Sequence, residues 1–229
     1  MAIDLTAADG VILDMDGTLI DSVYERALAW KEAFAACGAF PPAWTLHRLV
    51  GRDGRGAVRE VAAALGRSWS DDEALCIRRR YAEAYRRRMP GVRPLPGAVA
   101  LLEALERHGL RWAIATTASL AAAREALGIL GASGAAVVVA GDQVTNGKPD
   151  PEILEAAAGR LRVPLTRAVV VGDSAWDAMA ASRCGAAAIG VLSGGWSREE
   201  LLAAGAQAVV DGVHDLAVGR RPAGRGERG

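Results

Sequence analysis

The chain has 229 residues, 51% of them hydrophobic and only 5% aromatic, so it can bury a sizeable core built mainly of Ala, Leu and Val. Its 27 basic and 27 acidic side chains cancel, which argues against a general affinity for nucleic acid or membrane surfaces. Cys37, Cys76 and Cys184 lack metal-ligand spacing, and the N-terminus has neither a signal peptide nor a membrane-spanning stretch. We therefore expect a cytoplasmic protein with reduced thiols that binds neither nucleic acid nor membrane. The sequence does not indicate an oligomeric state.

Short apolar runs typical of buried strands recur at residues 11–14, 111–116, 136–140, 168–171, 186–191 and 208–210. Helical periodicity separates most of these runs, at residues 99–106, 120–130, 151–161 and 175–184. Alternating strands and helices imply right-handed crossovers and parallel strand pairing. The sequence therefore predicts an α/β fold with a doubly wound, Rossmann-like parallel sheet.

The region 21–89 interrupts this alternation, because it shows helical patterns and no convincing strand. A capping-box pattern at residues 70–73 predicts a helix that continues to about Arg88. Three tryptophans are expected to form the core of this insert: Trp30, Trp44 and Trp69. We predict a catalytic core of residues 1–20 and 90–219, an inserted all-helical domain at 21–89, and a disordered tail at 220–229.

Polar residues follow the ends of predicted strands in four clusters, which can meet in one crevice if the sheet is parallel. The clusters are Asp14-Met15-Asp16-Gly17-Thr18, Thr116-Thr117, Gly147-Lys148-Pro149-Asp150-Pro151, and Gly172-Asp173 with Asp177. Lysine occurs only twice in the chain, at Lys31 and Lys148, and every other basic residue is arginine. The lysine in the third cluster therefore suggests a need for a compact point charge.

Crowded carboxylates stay ionised only if a cation joins them, and oxygen ligands without His or Cys favour Mg²⁺. The Thr116 hydroxyl, the Lys148 ammonium and the backbone amides near Gly17 and Thr18 could hold phosphate oxygens. One aspartate could attack phosphorus to form an aspartyl-phosphate, while the other protonates the leaving oxygen and later accepts a proton from water. This combination predicts phosphoryl transfer from a small phosphorylated metabolite.

The four motifs together resemble the phosphatase branch of the haloacid dehalogenase superfamily, and they occur in that family's order. The matching residues are the run from Asp14 to Ser22, Thr116, Lys148 within Gly147-Lys148-Pro149, and Gly172-Asp173 with Asp177. The insert looks like the small helical cap of the phosphoglycolate phosphatase and β-phosphoglucomutase group.

The resemblance implies a role for each matching residue. Asp14 would be the nucleophile and Asp16 the general acid and base. Mg²⁺ would be bound by Asp14, the backbone carbonyl of Asp16, and Asp173, whereas Asp177 would act on the ion through water or another ligand. Phosphate would be bound by Thr116 and Lys148, beside the loop amides of Gly17 and Thr18, with Thr117 as a further candidate.

Individual residues reduce the number of activities that the family resemblance allows. Asp16 argues against a dehalogenase, because a halide leaving group needs no proton. Lys31 is the only lysine in the insert, which disfavours the phosphonatases that use a cap lysine. The fourth motif begins with Gly172 rather than the Glu typical of the mutases.

The leading hypothesis is thus Mg²⁺-dependent hydrolysis of a small phosphate monoester. A β-phosphoglucomutase-like mutase and a catalytically silent phosphate-binding regulatory protein stay open as alternatives. Arg52 and Arg55 lie beside glycines in the insert and are candidate contacts to the substrate.

Overall fold

A computed structural model describes residues 3–132 and 137–219 of the chain. A parallel sheet of six strands lies at its centre. Its strands are β1 (Gly10–Leu13), β2 (Arg111–Thr116), β3 (Val137–Ala140), β4 (Ala168–Gly172), β5 (Ala187–Val191) and β6 (Ala208–Val210). Their spatial order is β3-β2-β1-β4-β5-β6, so the first strand in sequence lies inside the sheet. The predicted α/β fold with a doubly wound parallel sheet is confirmed.

Four helices lie within the region 21–89, which follows β1. They are α1 (Val23–Ala35), α2 (Ala43–Leu49), α3 (Gly54–Ala64) and α4 (Asp71–Arg88). The predicted capping box starts α4, because the Ser70 side chain accepts from the backbone of Glu73 while the Glu73 side chain reaches back to Ser70. The division into a core and a separate insert of residues 21–89 stays a prediction.

Aromatic side chains hold these helices together. Trp30 of α1 stacks on Tyr81 of α4 with ring centroids 3.9 Å apart, and Phe34 stacks on both Trp30 and Trp69. Trp30 and Trp69 therefore belong to the expected core of the insert. The expectation was wrong for Trp44, which is 72% exposed because α2 turns Leu46 and Leu49 inward instead.

Five further helices flank the sheet: α5 (Ala98–Arg107), α6 (Leu120–Ile129), α7 (Glu152–Leu161), α8 (Ala175–Arg183) and α9 (Arg198–Ala203). Val11 and Leu13 of β1 pack into one hydrophobic cluster, and Ile12 packs into another. Successive side chains of a strand point to opposite faces, so β1 is covered on both sides. The carboxyl edge of the sheet is then the place where the polar strand ends can meet a ligand.

The chain crosses between the sheet and the insert through a short antiparallel pair, in which Ile20–Asp21 lies beside Arg93–Pro94. A second two-residue pair joins Ile3–Asp4 to Leu216–Ala217. The predicted tail, residues 220–229, lies outside the described residues. Among the helices of residues 3–132 and 137–219, none is long and apolar enough to span a membrane.

The chain contains two phenylalanines, and their environments differ sharply: Phe34 is fully buried in the insert, whereas Phe40 is 77% exposed. We expect Phe34→Ala to lower the free energy of unfolding by about 3–5 kcal/mol, because it leaves a cavity in the aromatic core. Phe40→Ala, the matched control, should change it by less than about 0.5 kcal/mol. Urea denaturation of both variants measures the difference, and equal effects would contradict this packing.

Candidate active site

Lys148 lies among the polar residues that follow the carboxyl ends of the strands. Its side chain is only 1% exposed, and its Nζ is 2.5 Å from Asp14 Oδ1 and 2.6 Å from Asp177 Oδ1. The same ammonium donates a hydrogen bond of 2.7 Å to the carbonyl of Ala115, near the end of β2. The ammonium thus donates two hydrogen bonds and forms an ion pair with each of two carboxylates, which compensates for the burial of its charge.

Three buried carboxylates gather around this ammonium. Asp14, Asp173 and Asp177 each place one oxygen so that these oxygens all lie within 4.8 Å of one another. Burial raises the pKa of Asp14 to about 7, against the lowering effect of the Lys148 charge. Burial and the neighbouring Asp14 and Asp177 also raise the pKa of Asp173 well above its usual range. One ammonium does not balance three carboxylates, so the cluster suits a metal ion.

Glycines press closely against Asp173. A Cβ at Gly194 would lie 1.7 Å from Asp173 Oδ2, and one at Gly17 would lie 2.4 Å from the same oxygen. Thr18 donates through its Oγ1 to Asp173 Oδ1 over 3.1 Å. Two glycines and one hydroxyl therefore set the position of this carboxylate.

Asp177 has a dual set of contacts. Its Oδ1 is the oxygen near Lys148, whereas its Oδ2 accepts from both the backbone N–H and the Oγ of Ser174, at 3.2 and 2.5 Å. The bond from the Ser174 backbone is one half of the capping box at the start of α8. The Asp177 carboxylate is therefore buried between the first turn of α8 and Lys148.

Asp16 is bound from the side of the helical insert. Its Oδ1 accepts from Ser22 Oγ at 2.6 Å and from the Tyr85 hydroxyl at 3.2 Å, and it lies 2.6 Å from Arg26 Nε. Its Oδ2 has a single, longer contact, 3.4 Å from Thr116 Oγ1. Two hydrogen bonds and the Arg26 cation therefore hold one oxygen of Asp16, which leaves the other largely available.

A cavity of about 270 Å³ opens between the strand ends and the insert. Asp14, Asp16 and Thr117 line it from the sheet side. The insert contributes most of the opposite wall, with Arg26, Trp30, Arg52, Tyr81, Tyr85 and Arg86. The two aspartates of the first motif thus face one enclosed space together with insert side chains.

The structure separates the two arginines suggested as substrate contacts. Arg52 lines the cavity, pairs with Glu60 and stacks 4.8 Å from the ring centre of Trp176. Arg55 is exposed and is absent from the cavity lining.

Sequence reasoning missed Arg26, Tyr81 and Tyr85. The signal for Arg26 was present, because α1 buries an otherwise apolar stripe that includes Val23, Ala27 and Trp30, and Arg26 falls on it. A charged side chain on a buried helical stripe needs a polar partner. Periodicity could not reveal that this partner is Asp16.

Several bonds tie the insert to the loops that carry the site. Trp176 Nε1 donates to the carbonyl of Arg48 at 2.9 Å, and His47 Nε2 lies 2.9 Å from the carbonyl of Gly194. The backbone N–H of Asp53 donates to the carbonyl of Lys148 at 3.1 Å. The position of the insert is therefore linked to both the lysine loop and the Asp173 pocket.

Comparison with known proteins identifies relatives of one family. Residues 8–185 match the haloacid dehalogenase-like hydrolases. The chain is 34% identical over 213 residues to phosphoglycolate phosphatase of Rhodospirillum rubrum, covering 90% of this chain and 88% of that protein. It is 33% identical over 165 residues to hexitol phosphatase A of Escherichia coli, covering 72% and 74%. Relatives of similar identity are thus named for different phosphate esters.

A solved hydrolase from Pseudomonas syringae has the same fold, with a TM-score of 0.87 and 38% identity, over 90% of this chain and 94% of that one. The superposition leaves out only a tenth of this chain, which is much less than the helical insert. The structural similarity therefore includes both the sheet and the insert.

The glycines around Asp173 yield a test of the carboxylate cluster. We expect Gly194→Ala to weaken binding of a divalent cation by about 10- to 100-fold, because its methyl group would displace the carboxylate. Gly159→Ala, within α7, is the control, since a Cβ there meets nothing within 4 Å. Titration calorimetry with Mg²⁺ measures both affinities, and an unchanged Gly194→Ala variant would speak against Asp173 as a ligand.

Proposed function

The chain belongs to the haloacid dehalogenase-like hydrolase family and is a phosphatase; we propose that it hydrolyses a small phosphate monoester with Mg²⁺ through an aspartyl-phosphate on Asp14. The observation that carries the proposal is the buried Lys148 ammonium, 2.5 Å from the Asp14 carboxylate. A carboxylate meets repulsion when it approaches a phosphate dianion, and a cation at this position offsets it.

Asp14 is the proposed nucleophile. Its Oδ1 is paired with Lys148, so Oδ2 is the oxygen that attacks phosphorus. The new bond joins Oδ2 to phosphorus while the bond from phosphorus to the alcohol oxygen breaks. A water molecule then attacks the same phosphorus, which releases inorganic phosphate and restores the carboxylate.

Asp16 is the proposed general acid and base. It protonates the alcohol oxygen as that group leaves, and it later takes a proton from the attacking water. The two hydrogen bonds and the Arg26 cation at its Oδ1 favour Oδ2 as the oxygen that transfers the proton. A positioned acid of this kind contributes about 10²- to 10⁴-fold to the rate.

The carboxylate cluster fits Mg²⁺, because it offers only oxygen ligands and an excess of negative charge. Asp14, Asp173 and the backbone carbonyl of Asp16 would hold the ion, which would neutralise charge on the phosphoryl oxygens. We propose that Asp177 supports this arrangement through its contacts to Lys148 and Ser174.

The remaining proposed contacts hold the phosphate itself. Lys148 and the hydroxyl of Thr116 would bind its oxygens, together with Thr117 and the backbone amide of Thr18. The backbone N–H of Gly17, which the sequence also predicted as a phosphate donor, instead donates to the carbonyl of Ile20 at 2.8 Å. The Thr18 hydroxyl already donates to Asp173, so its backbone N–H is the group left for phosphate.

We further propose that residues 21–89 act as a cap, which opens to admit the substrate and closes to exclude bulk water. The cavity between the insert and the strand ends supports this arrangement, since insert side chains form one wall of it.

Replacing the nucleophile tests the mechanism. Asp14→Asn and Asp14→Ala should both abolish release of inorganic phosphate from p-nitrophenyl phosphate, because neither side chain can form the acyl phosphate. Asp211→Asn is the control, since that carboxylate is exposed and, among the residues that the structure describes, its ion pair is with Arg198, far from the strand ends that carry the site. Full turnover by both Asp14 variants would rule the mechanism out.

Metal removal forms a second test. EDTA should stop turnover by the wild-type protein, and added Mg²⁺ should restore it, because the ion would balance the three carboxylates and the phosphoryl oxygens, which one ammonium does not. Phosphate release after desalting, with and without Mg²⁺, is the measurement. Activity that survives complete chelation would contradict the proposed metal.

A further inference from the structure

We infer that docking of the helical insert sets the metal affinity of the carboxylate cluster, with His47 as the positioning residue that carries the effect. The β5 loop, residues 192–196 directly after β5, connects the two. The inference rests on the proposed function, in which Asp173 binds Mg²⁺. It goes beyond that function because it gives a side chain of the insert a role in assembling the metal site.

Two consecutive glycines of the β5 loop face different partners. A Cβ at Gly194 would lie 1.7 Å from Asp173 Oδ2, whereas a Cβ at Gly195 would lie 2.9 Å from His47 Nε2. Only backbone atoms therefore fit between the Asp173 carboxylate and the His47 ring. Gly195 also has a φ of +84°, a conformation that favours glycine. A displacement of His47 thus reaches Asp173 through a single peptide unit.

His47 holds this peptide unit by a hydrogen bond. Its Nε2 lies 2.9 Å from the carbonyl oxygen of Gly194. A carbonyl oxygen can only accept, so Nε2 carries the hydrogen in this contact. The ring also stacks on Tyr24 of α1, with centroids 5.5 Å apart and planes inclined by 22°. The bond therefore fixes the carbonyl of the residue whose α-carbon lies against Asp173.

Two tryptophans of the sheet portion hold the insert beside the β5 loop. Trp176 Nε1 donates to the carbonyl of Arg48 at 2.9 Å, and the guanidinium carbon of Arg48 lies 4.2 Å from the ring centre of Trp196. Arg48 Nη2 also pairs with Glu200 at 2.8 Å. Because Arg48 directly follows His47 on α2, these contacts hold the part of the helix that carries His47.

The β5 loop is short and is bound at more than one point. Leu192–Gly194 forms a single 3₁₀ turn, closed by the bond from the Gly195 N–H to the Leu192 carbonyl at 3.1 Å. Ser193 Oγ donates to the carbonyl of Gly17 at 2.6 Å, which ties the turn to the first motif. A closely packed turn held in this way transmits a displacement. Insert docking and metal binding are therefore coupled, and coupling of this kind acts in both directions.

The Mg²⁺ affinity of His47 variants tests the inference. His47→Ala should weaken Mg²⁺ binding by about 5-fold or more, the lower end for coupled sites, because the β5 loop loses its bond to the insert. His47→Gln should bring the affinity back toward that of the wild-type protein, since a glutamine amide can donate to the Gly194 carbonyl. Titration calorimetry with Mg²⁺, without substrate, is the measurement. A residue that only stabilises the fold would lower resistance to urea and leave this affinity unchanged.

His108→Ala and Trp44→Phe are the matched controls. His108 lies at the end of α5, and Trp44 is 72% exposed on the same helix as His47, so neither change should alter Mg²⁺ affinity. Trp176→Phe removes the indole N–H that donates to Arg48, and it should weaken Mg²⁺ binding as His47→Ala does. If His47→Ala does not fold, Trp176→Phe and its Trp44→Phe control decide the question.

Hydrogen exchange measures the same coupling in the reverse direction. Mg²⁺ should slow amide exchange in α2 of the wild-type protein, and it should do so less in His47→Ala, because the effect of each event on the other is reciprocal. Exchange in α5, which packs against β2, is the reference and should not respond. Exchange in α2 that is the same with and without Mg²⁺ would contradict the coupling.

Two calorimetric results would overturn the inference. One is a folded His47→Ala variant that binds Mg²⁺ as tightly as the wild-type protein, and the other is a His47→Gln variant that binds as weakly as His47→Ala. Either result, with Mg²⁺-dependent turnover of p-nitrophenyl phosphate by the wild-type protein, contradicts the role of His47 alone. A wild-type protein that binds no Mg²⁺ contradicts the proposed function and this inference with it.

Discussion

The buried ion pair between Lys148 and Asp14 is the interaction on which the site depends. An ammonium taken out of water is costly unless every donor is paired, and here the acceptors are two carboxylates and the Ala115 carbonyl. These acceptors come from the ends of β1 and β2 and from the start of α8. The lysine can be buried only where the parallel sheet brings those ends to one edge.

Strand register determines that geometry. Leu13 of β1 lies opposite Ile114 of β2 and Val171 of β4, so the residues that follow each strand emerge at nearly the same level. A slip of one residue would turn Asp14 to the other face of the sheet and bring Leu13 into the site. The apolar residues on both faces of β1 oppose such a slip, so core packing and catalytic geometry rest on the same register.

The two aspartates of the first motif are held by different parts of the molecule. Asp14 contacts Lys148 in the sheet portion, whereas Asp16 contacts Arg26 and Tyr85 in the helical insert. Movement of the insert would therefore alter the surroundings of Asp16, the proposed general acid and base, more than those of Asp14, the proposed nucleophile. Under the proposed mechanism, this arrangement would couple closure of the insert over the substrate to proton transfer.

The sequence by itself determined the strand and helix order, the α/β class and the candidate residues at the strand ends, because periodicity and turn residues are local properties. It also marked Lys148 through its rarity, although it misjudged Trp44 and passed over Arg26. Only the tertiary structure decided which side chains meet: Asp14 and Lys148 are separated by 134 residues in sequence, and Asp16 and Tyr85 by 69. A local pattern shows which face of a helix is buried, but the partner of that face depends on how distant segments pack.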